Sequence, residues 1–166
     1  MPYVAPYHGG TASKLLLLFQ DPGRMTSPDC GSGLIGCEND DPSAELLALC
    51  LDEAGLRQAD VVPWNSYPWF IPAQSGVTSA MRDAGLAPLR RVLEVLPEVH
   101  TVVTFGAVAH DTGLRFAGRY PSASSRLRWL RTFHTSGRGV TNGGQQKRAE
   151  GISHIVATLR QAAVKV

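Results

Sequence analysis

The chain has too few cysteines for a disulfide framework: Cys30, Cys37 and Cys50 form an odd set with no C-x-x-C pair. That also excludes a four-thiolate cluster, so reduced thiols in a cytoplasmic protein are expected, with neither metal nor cofactor. No apolar run approaches the ~20 residues of a membrane helix, and Lys14 alone ahead of the first such run does not make a signal peptide. Repeats and low-complexity segments are missing as well. From Arg115 onward acidic residues nearly vanish: ten Lys/Arg face only Glu150, a net of +9, against −7 over residues 1–114. Such asymmetry suggests a face for a polyanion, although a solvated basic helix gives the same count.

What is present is enough for one core: 166 residues, 43% of them hydrophobic, predict a single soluble monomer. Residues 1–13 read as an arm or short edge element, and residues 14–166 as the domain. The five apolar residues Leu15 to Phe19 do not alternate, which suits a strand covered on both faces, and Gln20-Asp21-Pro22-Gly23 ends it. Asp21 is therefore expected at a carboxyl edge, where open α/β sheets collect ligands, although Asp-Pro-Gly is turn chemistry too. Arg24 to Asp40 is too polar and glycine-rich for helix or strand and is expected to rim the site. Asp41 and Pro42 then start a helix that runs to Gly55.

Val61-Val62 predicts a second strand opening into the aromatic loop Pro63 to Phe70, with Asn65 at its mouth. Leu89, Val92, Leu93 and Leu96 predict a helix over Ala87 to Leu96, followed by a strand at Thr101 to Phe105 and a helix from Gly106. After a Ser/Arg-rich segment, Trp129 to Phe133 predicts a fourth strand delivering His134-Thr135-Ser136-Gly137-Arg138-Gly139. Ile152, Ile155, Val156 and Leu159 mark the last helix. Strands alternating with helices predict an α/β fold, a three-layer α/β/α sandwich around a mostly parallel four-stranded sheet. Asp21, Asn65 and His134 should then meet in one crevice.

An acid in a strand-end Gln-Asp-Pro-Gly loop, an Asn closing the next strand and a His-x-Ser loop closing the last together resemble the uracil-DNA glycosylase superfamily. Gln20-Asp21-Pro22 matches the first motif of its widespread bacterial branch, and Pro22-Gly23 that of other branches. The link Val102 to Ala109 is also similar, and the likeness runs from Leu15 to the final helix. It implies a DNA glycosylase that removes uracil or a related deaminated base in base-excision repair, without a cofactor. Asp21 and His134 would be catalytic, and Gln20, Gly23 and Asn65 would bind the base. Ser136, Arg138, Arg126, Arg128, Lys147 and Arg148 would hold DNA, with Arg138 or Val140 filling the space of a flipped base.

Several positions depart from that pattern. Gly23 replaces the tyrosine that fences off the thymine methyl group, and Thr135 replaces the usual proline, which is expected to loosen its loop. No aromatic near Gly33-Leu34-Ile35-Gly36 matches the one that stacks on the base; Trp64, Tyr67 and Trp69 are the substitutes on offer, although core packing is the expected role of at least one of them. The rival readings are a non-catalytic lesion or single-strand binder of the same fold, and a small-molecule hydrolase or nucleotide binder on a flavodoxin-like sheet. A nucleic-acid binder loses affinity steeply as salt rises, whereas a small-molecule enzyme need not.

Overall fold

The structure, a computed structural model, describes residues 1–71, 75–136, 140 and 144–164. In chain order its elements are β1 (Tyr3–Val4), β2 (Leu15–Phe19), β3 (Leu34–Ile35), α1 (Pro42–Ala54), β4 (Val61–Asn65) and α2 (Ser79–Val95). They continue with β5 (Thr101–Phe105), α3 (Gly106–Arg119), the short α4 (Pro121–Ser124), β6 (Arg128–Thr132) and α5 (Gly144–Ala163). The central sheet has the order β4-β2-β5-β6, and every pairing in it is parallel. Leu15 to Leu18 are each at most 3% exposed. Leu15 and Leu17 pack under α1 and α5, whereas Leu16 and Leu18 pack under α2 and α3. The expected three-layer α/β/α sandwich is thus the observed fold.

From β2 the chain moves outward to β4, then crosses back to β5 and on to β6 in the opposite direction. The strand order therefore reverses between β2 and β5, and a crevice opens outside their carboxyl ends. Local chemistry sets the first crossover helix. The Asp41 carboxylate accepts from the N–H groups of Ser43 (2.9 Å) and Ala44 (3.0 Å), Pro42 occupies the first turn, and Gly55 closes the helix with its N–H on the Asp52 carbonyl.

Four elements differ from expectation. β4 continues through Pro63 to Asn65 rather than stopping at Val62. An edge strand tolerates proline because every second N–H faces outward; Ser66, one step beyond, donates its N–H inward to the Phe19 carbonyl. α2 begins eight residues earlier than Ala87, capped by Thr78 on the Met81 N–H, and carries Pro88 in its interior. Tertiary contacts hold the turns before that proline: Arg82 pairs with Asp111 (3.2 Å), and Asp83 pairs with Arg115 (2.7 Å). Strand β6 starts and ends one residue earlier than read from sequence. The segment Arg24 to Asp40 is not wholly irregular, since it holds a 3-10 turn at Arg24–Thr26 and strand β3, which pairs in parallel with β1.

Gly85 lies buried where α2 crosses the end of β4, and a Cβ there would overlap the carbonyl oxygen of Ser66. Gly85→Ala is expected to cost about 1–3 kcal/mol, as overpacking does, measured as a lowered urea midpoint with unchanged slope.

Candidate active site

At the carboxyl edge of the sheet an open cavity of about 1280 Å³ is lined by Gln20, Asp21, Gly23, Asn65, His134 and Ser136, among others. Asn65 is the last residue of β4, and the others come from the loops that follow β2 and β6. The chain after β2 and the chain after β4 are stitched together by backbone: the Ser66 N–H and hydroxyl both donate to the Phe19 carbonyl at 2.8 Å, and the Tyr67 N–H donates to the Gln20 carbonyl at 3.0 Å. Thr26 folds the loop back on itself by donating its hydroxyl (2.6 Å) and its N–H (3.0 Å) to the Gly23 carbonyl. Asp21 is thereby held half-buried at the cavity wall.

Burial pushes the Asp21 carboxyl above its usual range, and the Gln20 side chain opposes that shift by hydrogen bonding. Asn65 is only 3% exposed, yet its amide has no hydrogen-bond partner among the described residues, so its donors and acceptor are available to a ligand. Phe19 and Phe105 stack at 4.5 Å beneath the site, and His134 meets Phe19 edge-on at 5.8 Å.

Burial lowers the His134 pKa, which favours the neutral ring. Its Nδ1 accepts the Ser136 N–H at 2.9 Å. In neutral imidazole the proton must then sit on Nε2, which makes that atom a donor. Gly106 backs the ring: its φ is +85°, and a Cβ there would stand 3.1 Å from the Cβ of His134. Thr135, which stands in place of the proline, has an anchor of its own. It is 1% exposed, and its hydroxyl meets that of Ser43, in the first turn of α1, at 2.6 Å.

Other expected residues separate from this group. Arg126 donates to the Leu93 carbonyl (2.9 Å) and Arg128 to the Gln161 carbonyl (3.1 Å). Both precede or begin β6, so they stand at the amino edge, roughly 13 Å of strand away from the cavity. The structure therefore does not bring them together with the cavity residues. Lys147 and Arg148 are exposed on the part of α5 before His154, which itself lines the cavity, so they lie on the cavity side. Val140 is 4% exposed within the core under α5 and is unavailable as a wedge. Gly137, Arg138 and Gly139 lie outside the described residues.

None of Trp64, Tyr67 and Trp69 lines the cavity; Trp64 is a core residue between the sheet and α2 and α3. Ile35, from the segment that lacks the expected aromatic, does line it. Sequence reasoning passed over Ser43, Arg131, Phe133 and His154, which also line it. Arg131 and Phe133 carried a signal, since they alternate with Thr132 towards the end of the last strand. Ser43 and His154 carried none, because their roles depend on how helices dock. Among the described residues no group of three or more His, Cys, Asp or Glu side chains could hold a metal, and no helix is long and apolar enough to cross a membrane. Burial raises the Cys37 and Cys50 thiols to about 12 and about 11.

The four-stranded parallel sheet, its two helical layers and the crevice at its strand reversal make a uracil-DNA glycosylase-like fold. Among solved structures the chain is similar to wild-type SMUG2 of Pedobacter heparinus, with a TM-score of 0.61 and 14% sequence identity over 90% of this chain and 75% of that one. At such identity the likeness is one of fold. No protein-family model matches the chain, and no curated protein does.

Gly106→Ala would combine a left-handed backbone with the contact to His134. It is expected to cost about 1–2 kcal/mol and to shift the ring-proton resonances of His134, both measurable on the folded variant.

Proposed function

We propose that the chain is a DNA glycosylase that hydrolyses the N-glycosidic bond of uracil, or of a related deaminated base, as a cofactor-free monomer in the cytoplasm. The observation that carries this reading is that Asp21, Asn65 and His134 line one cavity, where burial raises the pKa of the carboxyl and lowers that of the imidazole, the Asn65 amide has no partner among the described residues, and the Ser136 N–H takes up Nδ1 of His134. Breaking the bond leaves positive charge on the sugar and negative charge on the departing base. Asp21 stabilises the first and positions the water whose oxygen bonds to C1′ and whose surplus proton passes to solvent. His134 donates from Nε2 to the pyrimidine oxygen where the second develops, with backbone amides near Gln20 assisting. The base leaves with the electron pair of the broken bond and is then protonated by solvent.

Asn65 reads the edge of the flipped base, since its amide offers both an acceptor and donors to uracil. The fencing tyrosine of the resembling branch would stand at Gly23, where an added Cβ meets nothing within 4 Å. Exclusion of thymine therefore falls to other walls, Ile35 among them. Ser136, Lys147, Arg148 and Arg138 supply donors and charge for phosphates.

The test is release of uracil, hypoxanthine or xanthine from labelled single- and double-stranded oligonucleotides. Asp21→Asn is expected to lose at least roughly a hundredfold in release while DNA binding persists. Equal release by wild type and variant, or no release despite salt-sensitive binding, overturns the reading, the latter in favour of a non-catalytic lesion binder.

The pH profile has a fixed sign. Activity needs Asp21 ionised and His134 neutral, so release rises with pH and holds through neutrality. The raised Asp21 pKa moves its limb above that of an exposed aspartate, and the lowered His134 pKa moves the second limb below that of an exposed histidine. In Asn65→Asp the reading edge loses its amide donors, and preference is expected to shift towards cytosine. A uniform loss over all bases in competition assays would count against that role.

A further inference from the structure

On the β6 side of the cavity, three lining side chains have no part in the hydrolysis. Phe133, just past β6, is 48% exposed, whereas Thr132 before it is 3% exposed. Its ring meets that of His154 at 4.9 Å and 63°, and His154 is anchored in turn by a 3.1 Å hydrogen bond between its Nδ1 and the Thr132 hydroxyl. Arg131, brought to the same side by strand alternation, is exposed and has no ion-pair or hydrogen-bond partner among the described residues. Farther along the rim, Lys147 and Arg148 lie about 10 Å up the axis of α5 from His154 and are exposed.

A phenyl ring half in water forgoes much of its burial energy, and here a second ring holds it in position. Arg131, two residues earlier, lines the same cavity and has no anionic partner among the described residues, at the lip of the crevice that would receive a flipped base. An aromatic face next to an unpaired cation matches a base with its phosphate, which is how single strands are held without sequence readout. Neutral or acidic partners would leave Arg131 or the ring unused.

We propose that Phe133, Arg131 and His154 form a subsite for the nucleotide adjacent to the target in single-stranded or locally opened DNA. Its base stacks on Phe133, and its phosphate is taken by Arg131. This rests on the glycosylase reading and adds to it a preference for substrates whose neighbouring base can leave its own stack.

The full chain, wild type and Phe133→Ala, is titrated by fluorescence anisotropy with single-stranded oligonucleotides carrying one uracil. The neighbouring nucleotide is either ordinary or abasic, on each side in turn. The ring is exposed, so the variant should fold, which circular dichroism checks. Phe133→Ala is expected to weaken binding of the intact strand roughly tenfold, and an abasic neighbour on one side to weaken wild type by a similar factor. The two losses should not add, and Phe133→Trp should restore affinity. Arg131→Gln should lower the salt slope by about one. If both proteins respond equally to the abasic nucleotide on either side, the subsite is overturned. Base release by wild type on the same strands is read separately. Release without coupling overturns the subsite alone, coupling without release overturns the catalytic reading alone, and neither release nor salt-sensitive binding removes both.

Discussion

Leu15 to Leu18 have no face turned to water, and most of the architecture follows from that constraint. A strand buried on both sides needs a helical layer above and another below, and it needs paired neighbours on both edges to satisfy its backbone. Strands β4 and β5 supply the neighbours, α1 with α5 one layer, and α2 with α3 the other. Because the neighbours are parallel, every strand exits on the same side. The polar residues that end the strands are gathered at one edge by the same burial that stabilises the core.

That edge then acts on the chemistry of what it gathers. Desolvation moves Asp21 and His134 towards each other in pKa, the acid up and the base down. The carboxylate becomes a more effective partner for positive charge in a medium that screens it less. Burial favours the neutral imidazole, and in that form the Ser136 N–H on Nδ1 leaves the proton to Nε2. Backbone geometry thus selects a tautomer, and a glycine behind the ring leaves room for it.

Much of this could be read from residue order because the signals were local. Asp41, Pro42 and Gly55 mark both ends of α1 by capping chemistry alone, and the apolar run before Gln20 announces a buried strand. The start of α2 was hidden because Pro88 reads as a first-turn residue, whereas ion pairs to α3 hold the turns before it. The separation of Arg126 and Arg128 from the cavity was not legible, because a count of charge along the chain does not tell which end of a strand a residue occupies. Trp64 takes the core-packing role expected of at least one of the three loop aromatics; which of them would do so was not legible, because aromatic character is visible in sequence and the face it points to is not. The candidate site was legible where a strand end carried it, and illegible where a docking helix supplied the side chain, as with Ser43 and His154.

The Ser43–Thr135 hydrogen bond ties the residue after His134 to α1, a restraint of a different origin from a proline ring. A ring constrains its own backbone whatever surrounds it, whereas this loop borrows its order from the first turn of α1. Helix ends open more readily than sheet interiors, so the loop shares the opening free energy of that turn rather than that of the core. Opening of that one turn would therefore release Thr135, and the residue beside it in sequence, His134, without parting any strand of the sheet.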